Sequence, residues 1–116
     1  MQVVIHAHGF VLTENLRAHV EQRLQFALNR FQDRVVRVAA HLSDIGGPGG
    51  GVDRHCHLQL RLHGLPDIVV KDTEADIHVA VDRAAHRAER TLGRHLRRAR
   101  GSFDEHFERG DDERIE

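Results

Sequence analysis

Residues 53–76 read DRHCHLQLRLHGLPDIVVKDTEAD. From Asp53 to His63 the side chains alternate without a break, with Cys56, Leu58, Leu60 and Leu62 on one face and His55, His57, Gln59, Arg61 and His63 on the other. A period of two with a single apolar face is the pattern of a half-buried strand. Gly64, Leu65 and Pro66 then predict a turn, and Asp67–Asp72, built around Ile68, Val69 and Val70, a shorter strand. Thr73-Glu74-Ala75-Asp76 has the spacing of a capping box, with Asp in place of the usual Glu, and announces a helix.

Downstream, Ile77, Val81, Ala84, Ala85, Ala88, Leu92, Leu96 and Ala99 form the buried stripe of that helix, which the sequence ends near Gly101. Upstream, Gln2–His8 alternates as a strand, with Val3, Ile5 and Ala7 inward and His6 and His8 outward. Thr13 is a good N-cap for a helix with the inner face Leu16, Val20, Leu24, Ala27, Leu28 and Phe31, running to about Gln32. Arg34–Ser43 is rich in β-branched residues and reads as a strand with Val36, Val38, Ala40 and Leu42 on one face, opposite Val35, Arg37, Ala39 and His41. The glycine-rich stretch 46–51 is a flexible connection, and it lacks the Lys and following helix of a phosphate-binding loop. The order is β-α-β-β-β-α: an α+β fold with a four-stranded sheet and two helices packed on one face. Residues 1–101 make one domain, and 102–116 an acidic tail too poor in apolar residues to order itself.

Composition narrows the chemistry. A chain of 116 residues, 40% hydrophobic and 30% charged, fits a single soluble domain. It contains no apolar run of the ~20 residues a membrane helix needs and no signal-peptide pattern, and its single cysteine rules out an internal disulfide, so a cytoplasmic location without membrane association is expected. The net charge of −1 conceals an asymmetry. Residues 101–116 hold seven acids against Arg109 and Arg114, which leaves the body with 15 Arg or Lys against 11 acids. A basic body therefore ends in an acidic tail.

Most of that basicity has a pattern. Arg83, Arg87, Arg90, Arg94 and Arg97 are spaced four, three, four and three apart, so they share one stripe of the last helix, and Glu89 is the only acid between Arg83 and Arg100. Like charges at such spacings cost about 0.2–0.5 kcal/mol per step, about 1–2 kcal/mol over four steps. A phosphate backbone is the usual compensating partner, because the guanidinium keeps its charge and grips phosphate oxygens in pairs.

Other chemistries find no residues. Ser43 and Ser102 sit in no nucleophile elbow, and the carboxylates form no acid/base pair, so no catalytic residue can be named and an enzyme is not expected. His6/His8 and His55/His57 have chelating spacing on strands, yet no further metal-ligand motif stands beside them, so no metal and no cofactor is assigned. Cys56 has inward parity and packs as a small hydrophobe. The outward sheet face gathers His6, His8, Arg37, His41, His55, His57, Arg61, His63 and Lys71, a weakly basic surface with no aromatic platform for stacking bases.

Several segments are similar to one family. The opening MQVVIHAHG leads into Thr13-Glu14-Asn15-Leu16-Arg17, which resembles T-x-x-L-R; Asp76-Ile77-His78-Val79-Ala80-Val81-Asp82 resembles D-M-Y-x-A-I-D/N; and Arg87, Arg90-Thr91-Leu92 and Arg94 stand where K-L-x-R-Q-L-x-K is found. These are motifs of the ribosome hibernation-promoting factor and protein Y family, also called the sigma-54 modulation or ribosome-associated inhibitor family, and the resemblance to its short form covers roughly residues 1–100. It implies a fold related to double-stranded RNA-binding domains. It also implies translation inactivation by occupying the small-subunit mRNA channel and the A and P tRNA sites, with the small ribosomal subunit and its 16S rRNA as partner and no small-molecule substrate. The resemblance places Arg17, Arg23, Arg87, Arg90 and Arg94 at the rRNA, and the stripe adds Arg83, Arg97 and Arg98. His78 departs from the tyrosine of the pattern, and Phe26 and Leu28 occupy a part of the first helix that is more polar in the family. A second reading is therefore a diverged, non-enzymatic protein-protein interaction module using the Phe26/Leu28 side, with weak self-association left open.

Overall fold

The computed structural model describes residues 1–46 and 52–107. In chain order the elements are β1 (Gln2–His8), α1 (Glu14–Leu28), a 3-10 turn (Asn29–Phe31), β2 (Val35–Gly46), β3 (Val52–Leu62), β4 (Leu65–Glu74) and α2 (Ile77–Phe107). The four strands lie side by side in the order β1-β2-β3-β4, with β1 parallel to β2 and the other pairs antiparallel. The inward side chains of the sheet's centre share one core. Val38, Ala40, Leu42, Cys56, Leu58, Leu60, Ile68 and Val70 are buried there together with Leu16, Val20 and Leu24 of α1 and Ala84, Ala88 and Leu92 of α2. Both helices thus cover the same face, and the expected α+β arrangement holds.

Local chemistry explains the element ends. Thr13 caps α1 as its sequence position predicts, its hydroxyl accepting from the Leu16 backbone N–H at 3.2 Å. The β3–β4 hairpin turns at His63 and Gly64, where Gly64 takes φ +72, a left-handed conformation glycine adopts without a Cβ clash. α2 is lined on its inner side by Ala80, Ala84, Ala85 and Ala88, all fully buried. Their small side chains let the helix lie close to β3 and β4 while its other flank meets α1.

Four details differ from the sequence reading. Val35 is buried and Val36 is 38% exposed, the reverse of expectation, because the β2–β3 register shifts between Val35 and Arg37 and the irregularity flips the parity before it. β4 is longer than Asp67–Asp72, since pairing with β3 extends from Leu62↔Leu65 to Arg54↔Glu74; it is an edge strand, so Pro66 is accommodated within it. That same ladder draws Thr73 into the strand, where its hydroxyl meets His55 Nδ1 at 2.8 Å, and the cap of α2 passes to Asp76, whose carboxylate accepts from the His78 N–H at 2.8 Å. Finally, α2 continues past Gly101 to Phe107. Of the glycine-rich connection, residues 47–51 lie outside the described residues, as do residues 108–116 of the expected acidic tail.

Candidate nucleic-acid interface

The arginine stripe of α2 follows from the buried stripe behind it. With Val81, Ala84, Ala88 and Leu92 turned into the core, residues three and four apart on the opposite side face solvent, and Arg83, Arg87, Arg90, Arg94, Arg97 and Arg98 are all exposed. Arg83, Arg87, Arg90 and Arg94 line one open groove of about 680 Å³ that runs between α2 and the edge strand β4, with Asp72 and Glu74 on the strand side. Asp82 lines the groove as well, but among the described residues only one of its three acids forms an ion pair with the stripe. Arg83 Nε lies 3.5 Å from Glu74 Oε2, Glu89 points instead to Arg30 at 3.9 Å, and Arg94 reaches only the Thr91 hydroxyl at 3.4 Å. Among the described residues Arg87, Arg90, Arg94, Arg97 and Arg98 have no acidic partner. A groove lined by unpaired guanidiniums suits a polyanion whose phosphates are spaced along it.

The two arginines of α1 have other surroundings. Arg23 is 27% exposed and faces α2, with its Nε 3.5 Å from Asp82 Oδ1, its guanidinium 5.7 Å over the Phe26 ring and one terminal nitrogen buried without a partner. His19 Nε2 meets the same Asp82 oxygen at 2.8 Å, and the His19 ring stands edge-on to His78 at 4.7 Å. Arg23 is therefore part of a polar latch between the helices, in which His78 has a packing role. Arg17 is exposed, but it sits two residues from His19, about 200° round the helix, so it faces away from α2. The structure thus gathers Arg83, Arg87, Arg90 and Arg94, sets Arg17 apart, and commits Arg23 to the helix interface. Leu28 is fully buried whereas Phe26 is 81% exposed, so the expected Phe26/Leu28 surface reduces to Phe26 alone.

Arg97 faces a second recess and meets there two arginines that the sequence did not single out, Arg30 and Arg34. Their spacing carries no signal, because Arg30 lies in the 3-10 turn after α1 and Arg34 precedes β2, and only tertiary packing brings both to α2.

On the outer sheet face, strand pairing sets His6, His41, His57 and Lys71 in one row across all four strands. The His41 ring stacks with His6 at 4.9 Å and with His8 at 6.0 Å, and lies 5.7 Å from His57. Partial burial, then the like charges that His6, His57 and His8 would carry, hold the His41 pKa below its ordinary value. Among the described residues no three His, Cys, Asp or Glu are arranged to hold a metal ion. Burial, with Asp72 adding to it, pushes the Cys56 thiol up to about 12, so the sulfur is inert core packing. No described helix is long and apolar enough to cross a membrane.

The family model for the Sigma 54 modulation protein / S30EA ribosomal protein matches residues 3–100. The N-terminal domain of Protein Y from Thermus thermophilus is similar in structure, with 25% identity, a TM-score of 0.67, and coverage of 81% of this chain and 98% of that one. A ribosomal subunit interface protein from Coxiella burnetii superposes with a TM-score of 0.69 over 83% of this chain and 98% of its own, at 18% identity, a likeness of fold. No curated protein matches the sequence significantly.

Proposed function

The chain belongs to the Sigma 54 modulation protein / S30EA ribosomal protein family, and from that premise we propose that it is a ribosome-binding translation inactivation factor. In this reading it occupies the small-subunit mRNA channel and the A and P tRNA sites, and its α2 arginines contact 16S rRNA. The Protein Y domain, similar over most of the chain, supports the assignment. The single observation that carries the contact surface is the run of unpaired, exposed Arg87, Arg90 and Arg94 along one groove. Phosphate contacts of this kind position a protein by charge and shape, which suits a helical RNA whose deep major groove hides its base edges. The mechanism is occlusion: a folded domain held in a channel excludes the RNAs that would otherwise enter it. No bond is made or broken.

Co-sedimentation with small subunits tests the reading. The protein should pellet at low salt and dissociate steeply as salt rises, and the charge reversals Arg87→Glu, Arg90→Glu and Arg94→Glu together should abolish pelleting while leaving the fold intact. Unchanged pelleting of that variant would refute the contact surface.

A second reading, an interaction module, is favoured by Phe26, which projects from α1 with 81% of its surface exposed. Sizing over a range of concentrations, with and without Phe26→Glu, decides it: a dimer that the substitution dissolves would support the module, and a monomer throughout would remove self-association.

A further inference from the structure

A recess separate from the stripe's groove sets Arg97, at the far end of the stripe, beside Arg30 and Arg34, two arginines for which the proposed rRNA contacts give no role. Where the 3-10 turn passes α2, an open cleft of about 630 Å³ is lined by Arg30, Arg34 and Arg97 together with Phe31, Leu96 and Gly93. Gly93 is buried inside a helix, a position where glycine is disfavoured relative to alanine. A Cβ there would stand 3.4 Å from Arg97 Nη1, 3.8 Å from Arg30 Nη2 and 3.8 Å from Phe31 Cζ. Two guanidiniums from different elements thus converge on the one spot that carries no side chain.

Charge and shape together indicate what completes this cleft. Arg30 has one acidic neighbour, Glu89 at 3.9 Å, and among the described residues Arg34 and Arg97 have none, so three positive groups share a single negative one. An anion with several oxygens would relieve the imbalance, and guanidinium forks match phosphate geometry. The Arg30 guanidinium also lies 4.4 Å over the Phe31 ring. That stack leaves a flat outer face on which a planar base can rest, and Leu96 adds apolar surface beside it. A carboxylate peptide would use the charges and leave the platform idle. We propose that the cleft formed by Arg30, Arg34 and Arg97 over Gly93 binds one unpaired nucleotide, its phosphate between the guanidiniums and its base against the Arg30–Phe31 stack. The nucleotide is either a residue in an RNA strand that continues along α2 or a free mononucleotide, and the cleft chemistry is the same for both.

Titration of the full chain at low salt with a labelled short oligoadenylate, its abasic counterpart, AMP and inorganic phosphate tests this. Oligoadenylate affinity should fall about ten-fold in Arg34→Ala, which alters an exposed side chain, and in Gly93→Leu, which fills the floor. AMP that displaces the labelled strand identifies a site sufficient for a free nucleotide; binding of the strand with no displacement by AMP identifies a strand-borne one. Equal affinity for wild type and both variants would overturn the proposal, as would an abasic strand binding as tightly as oligoadenylate, or inorganic phosphate displacing the strand at the concentration at which AMP displaces it. A circular-dichroism melt confirms that Gly93→Leu is folded, and Arg34→Ala stands without it. The inference shares with the proposed function only the premise that α2 meets RNA. Failure of that function appears as unchanged sedimentation of the stripe variant, and failure of the cleft as unchanged oligoadenylate titration.

Discussion

Replacing Arg87, Arg90 and Arg94 together with Gln should weaken ribosome binding and strengthen the free protein. The structure selects these three, because Arg83 is shared with Glu74 at 3.5 Å and Arg23 with Asp82 at 3.5 Å, whereas the three have no acidic partner among the described residues. Each guanidinium that neutralises a phosphate contributes about 0.7–0.9 to the slope of log affinity against log salt. Losing three contacts should flatten that slope by about 2–3, and at about 0.15 M salt should weaken binding about a hundredfold. The same change removes all four like-charge steps from Arg83 to Arg97, so the unbound variant should gain up to about 1–2 kcal/mol, less whatever solvent already screens. Small-subunit binding measured over a salt series, paired with urea unfolding of the free protein, reads both numbers. A slope within about 0.5 of wild type would refute the groove as the phosphate contact. A loss of affinity accompanied by a loss of stability would show instead that the arginines hold the fold.

Other perturbations address the surroundings. Asp82→Ala leaves Arg23, one of whose nitrogens already lacks a partner, and His19 without their shared acceptor; Asp82 is 44% exposed, so urea unfolding should show a loss near the low end for such groups, about 1 kcal/mol. His41 has its pKa lowered from 6.5, so the unfolded chain takes up a proton that the fold resists: its contribution is full above about pH 6.5 and is lost as pH falls through the lowered value. His41→Gln should flatten that part of a stability-versus-pH profile, and an unchanged profile would remove the histidine row as its cause. Cys56, buried and with its pKa pushed up to about 12, should resist thiol reagents until the protein unfolds, so mass spectrometry showing rapid labelling of folded protein would contradict the core placement.

Much of the fold is legible because each element announces itself locally. The alternation from Cys56 to Leu62 survives intact, with all four inward residues buried, and Thr13 caps α1 from the position its hydroxyl predicts. Errors occur where pairing overrides local signals. The Thr73 capping box is a sound helix start in isolation, yet the ladder His55↔Thr73 holds that residue in β4 and hands the cap to Asp76. Val35 and Val36 exchange faces because a register shift cannot be read from side-chain order.

The sequence by itself determined the element order, the buried stripe of α2 and hence the exposure of its arginines, because a helix of fixed period must turn Arg83, Arg87, Arg90 and Arg94 away from Val81, Ala84, Ala88 and Leu92. Tertiary structure alone decided which guanidiniums remain free and which others join them. It spent Arg23 on Asp82, turned Arg17 to the far flank of α1, and brought Arg30 and Arg34 to Arg97 across Gly93. Charge is written in the side chain, but its availability depends on neighbours distant in sequence, and those neighbours exist only once the helices have packed.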